Sequence, residues 1–216
     1  MTDYFRAIKR PFTDLVKLLI GLMVEIVPIV NLAALGYRLE CSKGGSLPEW
    51  KDLKVLFVKG LKAVVIILVY ILPSLVIFIP LSAVLVFLFG FNALAALVAG
   101  DLSFLSGSFL IFLILEIFLA FILFIPPGYV SPLALIAFER TRRFEEAFNF
   151  RLIIKKAFTR KYFSAWLIVH LYAMPLMLIA LALSFFIPFI YTLPAFMVGV
   201  TEYTIYGEVY DGIEVV

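Results

Sequence analysis

From residue 63 to residue 100 the chain runs for 38 residues without one Asp, Glu, Lys or Arg. As a single helix that run would reach ~57 Å at 1.5 Å per residue, against a membrane hydrocarbon core of about 30 Å. A water-soluble fold has no interior that could take such a segment, so the stretch predicts a membrane helix that is tilted or broken. Pro73 and Pro80 can kink it, and Gly90-Phe91-Asn92 can end it, with 93–106 as an outer loop or a short re-entrant piece. The rest of the chain agrees: 64% of its residues are hydrophobic and only 15% charged, where a soluble domain carries roughly 25% charge. The expected fold class is all-α, a polytopic transmembrane helix bundle forming a single integral membrane domain over 1–216.

All 18 cations fall in three clusters: Arg6 to Lys17, Arg38 to Lys62, and Arg140 to Lys161. By the positive-inside rule the second and third clusters face the cytoplasm of a cell-membrane protein, so the chain between them crosses an even number of times. Five membrane segments follow, near 16–37, 62–90, 107–138, 162–187 and 188–207. Pro126-Pro127-Gly128 is expected to bend the third, and the fifth returns the acidic tail of Glu208, Asp211 and Glu214 to the cytoplasm. The first segment is ambiguous. It contains Glu25, Pro28 and Asn31 and has cations at both ends. Either it spans, or it enters and leaves on one side as a hairpin broken at Pro28 to Asn31; the five-segment layout takes it as a span. No cleavable signal is evident at the N-terminus.

Trp50, Leu53, Phe57 and Leu61 fall on one helical stripe opposite Lys51, Asp52, Lys54, Lys59 and Lys62, which predicts an interfacial amphipathic helix begun near Ser46 and Pro48. Phe150, Ile153, Ile154, Ala157 and Phe158 repeat the pattern opposite Arg151, Lys155, Lys156 and Arg160. Tyr70-x-x-Pro73 recurs as Tyr172-x-x-Pro175, and Glu40 and Glu139 each close an apolar segment. These spacings suggest tandem units over about 15–90 and 107–187, with 188–207 unpaired.

Leu18-Leu19-Ile20-Gly21, Pro28-Ile29-Val30-Asn31-Leu32 running to Ala34-Leu35-Gly36-Tyr37, and Leu47-Pro48-Glu49-Trp50 followed by Phe57-Val58-Lys59-Gly60-Leu61-Lys62-Ala63 form a recognisable set. Over residues 11–75, and again at Ala147-Phe148-Asn149-Phe150-Arg151, the chain resembles domain of unknown function 4013. The resemblance implies a multi-pass, mostly archaeal membrane protein and brings no activity, cofactor or catalytic residue with it.

One cysteine, Cys41, excludes an internal disulfide, and one histidine, His170, leaves too little for a His- or Cys-based metal cluster. No phosphate loop, dinucleotide fingerprint or zinc-protease helix occurs. Gly100-Asp101 and Tyr210-Asp211 are similar to the dipeptides of intramembrane aspartyl proteases, but in the wrong order and at the membrane edge. Ser106-Gly107 with His170 resembles a rhomboid-type dyad, except that Phe104 stands where that pattern needs Gly. The expectation is therefore no enzyme, no catalytic residue, no cofactor and no metal.

Two functional readings remain. Ionisable groups inside hydrocarbon point to the bundle interior or to a pathway. Glu116, ~12 Å below the outer surface, and His170, ~13 Å from the inner one, would lie at similar depth, with Glu25 and Asn31 completing a polar cluster. That supports a small proton, ion or solute transporter or channel. The other reading is a structural or accessory membrane component. Its basic helices, through Trp50, Lys54, Lys59, Lys62, Arg151, Lys155, Lys156 and Arg160, would contact anionic lipid headgroups or a membrane or cytoplasmic protein partner. Nucleic acid is not expected, since the net charge is only +3 and the cations are spread along membrane-adjacent segments.

Overall fold

The computed structural model describes residues 2–91, 98–100 and 108–214. The fold is all-α, with no strand among the described residues. Its helices are α1 (Tyr4–Lys9), α2 (Leu15–Ile26), α3 (Asn31–Cys41), α4 (Leu53–Leu85), α5 (Ser108–Thr141), α6 (Phe150–Ala157), α7 (Arg160–Leu183) and α8 (Thr192–Asp211). Three helical stretches are long and apolar enough to cross a membrane: Leu53–Phe89, Phe109–Thr141 and Arg160–Leu183. The expected outer loop over 93–106 and the Gly100-Asp101 turn fall largely outside the described residues. The chain divides into two compact units. One holds Met1–Ile67 with Val130–Val216, the other Leu68–Tyr129.

In the larger unit α8 is the central helix. Fourteen of its 20 residues are buried, Phe196, Val200, Ile205 and Tyr206 among them. It packs antiparallel to α7, the rings of Tyr162 and Tyr206 lying 5.3 Å apart. Because neighbours enclose it, α8 can carry Thr201 and Thr204 as well as Glu202. Thr201 donates to the Ala7 carbonyl at 3.3 Å, and Arg10 donates to Thr204 at 2.7 Å. This polar content keeps α8 out of the apolar spans, although its 20 residues would reach ~30 Å.

Residues 16–37 do not form one helix. Pro28 bars Val27 from the helical region, and Val27 ends α2 in extended conformation; Ile29 then turns the chain at φ +70°. With 12 and 11 residues, α2 and α3 reach ~18 and ~16 Å, so neither crosses a 30 Å core. The two run back to back. Trp50 stacks on Tyr37 of α3 at 4.0 Å and donates its indole N–H to the Lys17 carbonyl of α2 at 3.1 Å, holding the open ends of the pair together. The segment is thus two short helices folded back at Pro28, in place of the single long helix that the five-segment layout assumes.

The hairpin docks on α4 through glycines. A Cβ on Gly36 would overlap the Leu56 carbonyl, and one on Gly60 the Leu32 carbonyl, so the antiparallel backbones touch at two points four residues apart on each helix. Leu18, Ala34, Tyr37, Leu47, Leu56 and Phe196 close the core around this crossing.

One expectation is corrected here. The predicted interfacial helix over 46–62 does not exist as a separate element. Trp50 lies in the connection before α4, whose start is capped by Asp52 accepting from the Val55 amide at 3.0 Å, and α4 then runs unbroken to Leu85. The helix α5 runs through Pro126-Pro127-Gly128, where a bend is expected, and continues to Thr141.

In the smaller unit, the two helical stretches are joined by polar groups and rings. Ser74 donates to the Leu123 carbonyl at 2.6 Å, Ser82 donates to Glu116 at 2.8 Å, and Phe78 meets Phe124 edge to face. Ser74, Ser82 and Glu116 are thereby all partnered, as polar groups on such apolar helices need to be.

Candidate functional site

The charged end of the larger unit is organised by Lys59. It lies on the same side of α4 as Leu56, Gly60, Ala63 and Ile66, all of them buried, and is only 6% exposed. Its ammonium donates to Glu40 at the end of α3 (2.6 Å) and to Glu139 near the end of α5 (3.0 Å). Lys43 pairs with the same Glu139 oxygen at 2.7 Å. The two glutamates that matched across the tandem spacing thus meet on one lysine. The start of α4 and the end of α5 are therefore adjacent in the larger unit.

The C-terminal end of α8 is capped by three cations. Lys156, 8% exposed, donates to the carbonyls of Tyr210 (2.6 Å) and Ile213 (3.0 Å) and lies over the Tyr210 ring. Burial pulls its ammonium below the usual lysine range. Lys161 donates to the Gly212 carbonyl at 2.9 Å. Arg140 grips both oxygens of Asp211 at 2.8 and 2.7 Å and also donates to the Ser42 carbonyl. Cations at a helix C-terminus are favoured by its unsatisfied carbonyls and dipole. Arg6 pairs with Glu208, which brings the first cation cluster to the same end. Arg10 is buried and donates to the carbonyls of Cys41, Gly44 and Ser46, shaping the loop after α3. Lys17 pairs with Glu49 at 2.7 Å; this hydrogen bond raises Lys17 and holds the Glu49 carboxyl below its usual range.

Several cations therefore serve the fold. Lys59 and Lys156, expected to contact lipid, are turned inward to carboxylates and carbonyls, and Trp50 is spent on Tyr37 and Lys17. Lys54, Lys62, Arg151, Lys155 and Arg160 are exposed. On α6 the expected stripe divides: Ile153 and Ala157 face the core, while Phe150, Ile154 and Phe158 are exposed beside Arg151 and Lys155. Between α4 and the end of α5 lies a groove of about 420 Å³ lined by Lys54, Lys59, Lys62, Glu139 and Arg142, with Val55, Val58 and Phe138 as its apolar side.

The intramembrane candidates are arranged differently from the expected cluster. Glu25 on α2 pairs with Arg38 on α3. Arg38 lies against Gly199 of α8 and within electrostatic reach of Glu202 on the same helix. Asn31 opens α3 and is exposed. Glu116 and His170 fall in different units, and each has a partner in its own. Ser82 holds Glu116, while His170 is exposed, with Nδ1 2.9 Å from the Trp166 carbonyl one turn earlier. Sequence reasoning missed Arg38 and Glu202. Arg38 was counted with the cytoplasmic cations, and its spacing of 13 residues from Glu25 becomes a contact only once the helix breaks at Pro28.

A family model described as a protein of unknown function (DUF4013) matches residues 19–185, from within α2 through α7. No curated protein and no solved structure matches the chain.

Proposed function

Since the chain belongs to the DUF4013 family, we propose that it is a multi-pass integral membrane component without catalytic activity that gathers anionic lipid headgroups at its cytoplasmic face. In this reading α4, α5, α7 and α8 cross the membrane, and α2–α3 form a re-entrant hairpin that enters and leaves on the cytoplasmic side. All three cation clusters then lie inside, as the positive-inside rule asks, with no exception for the N-terminus. The observation that carries the reading is the division of labour among the cations. Those that build the charged end have carboxylate or carbonyl partners, whereas Lys54 and Lys62 have no carboxylate partner among the described residues; these two, with Arg151, Lys155 and Arg160, are exposed next to helices apolar enough to sit in lipid. Phe150, Ile154 and Phe158 would enter the interface beside them. Spin-labelled lipids in reconstituted membranes test this. The expected result is selectivity for phosphatidylglycerol over phosphatidylcholine that weakens with salt; equal association at low salt would remove the reading.

A second reading, a small proton, ion or solute transporter or channel, rests on the charged groups at membrane depth, with Glu25, Arg38 and Glu202 around a broken helix pair and Glu116 elsewhere. Its measure is flux in proteoliposomes. Proton, sodium and potassium flux no greater than in empty vesicles, before and after Glu25→Gln, would dismiss it for those ions.

A further inference from the structure

We infer that the groove between α4 and the end of α5 is a discrete binding site for the phosphate of one anionic phospholipid. The inference rests on the lipid-binding reading above and gives it an address.

Three of the cations lining the groove, Lys54, Lys62 and Arg142, have no carboxylate partner among the described residues. The acid that lines it, Glu139, is 2% exposed and already accepts from both Lys59 and Lys43. The groove therefore presents uncompensated positive charge, with ammonium and guanidinium donors, to a space of about 420 Å³. A phosphate matches this in charge and in acceptor number. The source of that phosphate follows from the apolar wall. Lys54 heads a stripe of α4 that continues through Val58, Leu61 and Val65, all more than 40% exposed, into the stretch apolar enough to span. A headgroup held at Lys54 would lay its acyl chains along that stripe. A soluble phosphate would leave the stripe uncovered.

Arg142 stands in the left-handed region, at φ +58°, in a position that helices usually give to glycine. Its amide donates to the Phe138 carbonyl at 2.8 Å, closing the end of α5. A glycine would close that end with less strain and without the charge, so Arg142→Gly removes the cation and leaves the helix end intact.

The test is native mass spectrometry of the full chain, released from micelles containing equal amounts of phosphatidic acid, phosphatidylglycerol and phosphatidylcholine. One anionic lipid per chain should remain bound to the parent. Each groove cation contributes about fivefold, so Lys54→Ala/Lys62→Ala/Arg142→Gly should weaken retention about a hundredfold. Lys9→Ala/Lys51→Ala/Arg143→Ala, which removes as many exposed charges elsewhere, should keep it, and so should Lys54→Arg/Lys62→Arg. Thermal unfolding of each variant checks that it is folded. If the groove variant retains the lipid as the parent does, while spin-label selectivity for anionic lipid persists, the site is wrong and the general reading stands. A parent that shows neither spin-label selectivity for anionic lipid nor any retained anionic lipid overturns both. If millimolar inorganic phosphate or glycerol 3-phosphate displaces the lipid as readily as a short-chain phosphatidic acid does, the occupant is a soluble phosphate and the lipid assignment fails.

Discussion

Replacing Lys59 by Met should destabilise the larger unit by about 2–3 kcal/mol. The ammonium is shared between Glu40 at 2.6 Å and Glu139 at 3.0 Å, with the Lys59 side chain 7% exposed and that of Glu139 1%. Removing one partner of a buried ion pair typically costs about 3–5 kcal/mol, because the other charge is left without compensation. Here the loss is smaller, because Lys43 still reaches Glu139 at 2.7 Å and Glu40 is open enough to recover water. Neutralising both ends in Lys59→Met/Glu139→Gln removes the stranded charge and should restore all but about 1 kcal/mol. For a chain of this length the single substitution corresponds to a fall of roughly 5–10 °C in Tm. The assay is thermal unfolding of the solubilised protein, followed by intrinsic fluorescence, across the double-mutant cycle. A single substitution costing less than about 0.5 kcal/mol, or a double variant as unstable as the sum of the singles, would refute the role given to Lys59.

Gly60→Ala should cost about 2 kcal/mol or more, since its methyl would meet the Leu32 backbone carbonyl and no rotamer can relieve it; Gly44→Ala, in the open loop, has no neighbour to displace and is judged only on its positive φ. Both are read by the same melts. Cys41 is fully buried, and burial pushes its thiol from 9.0 to about 12. Iodoacetamide at pH 8 should therefore leave it unmodified until the protein is unfolded, the thiolate population being roughly a thousandth of the usual one. By linkage, the contribution of this thiol to stability falls as pH rises from 9 towards 12, because the unfolded chain ionises first. Arg142→Gly alone should raise stability by about 1 kcal/mol while weakening lipid retention, so a gain in Tm together with a loss of bound lipid is the expected signature.

The charge map was legible in the sequence because lysines and arginines cannot be left in hydrocarbon. Their grouping at one end of the larger unit appears in the Lys59, Arg140 and Lys156 contacts. The break at Pro28 was also readable, since proline restricts the residue before it whatever the tertiary context. The direction of the α4 stripe was not. In water, the apolar line through Leu53 and Leu61 would face the core, but both are nearly half exposed here, and Lys59 is inside. Where the solvent is lipid, apolar side chains lose nothing by facing outward, and the charges are what must be buried in pairs. Glu25 finding Arg38, and Trp50 finding Tyr37 and Lys17, depend on the hairpin turn. A helix-periodic reading of 16–37 as one straight segment places those groups apart.

The arrangement of four crossings and one re-entrant hairpin is tested most directly by where single cysteines can be reached. In a Cys41→Ala background, cysteines at Asp3, at Phe158 (80% exposed) and at Phe186 (83% exposed, in the turn between α7 and α8) are treated with a membrane-impermeant maleimide on intact cells. Labelling is expected at 186 alone, with 3 and 158 reacting only after permeabilisation. Labelling of 3 but not 158 in intact cells would make the first segment a span, and labelling of 158 but not 186 would invert the whole molecule.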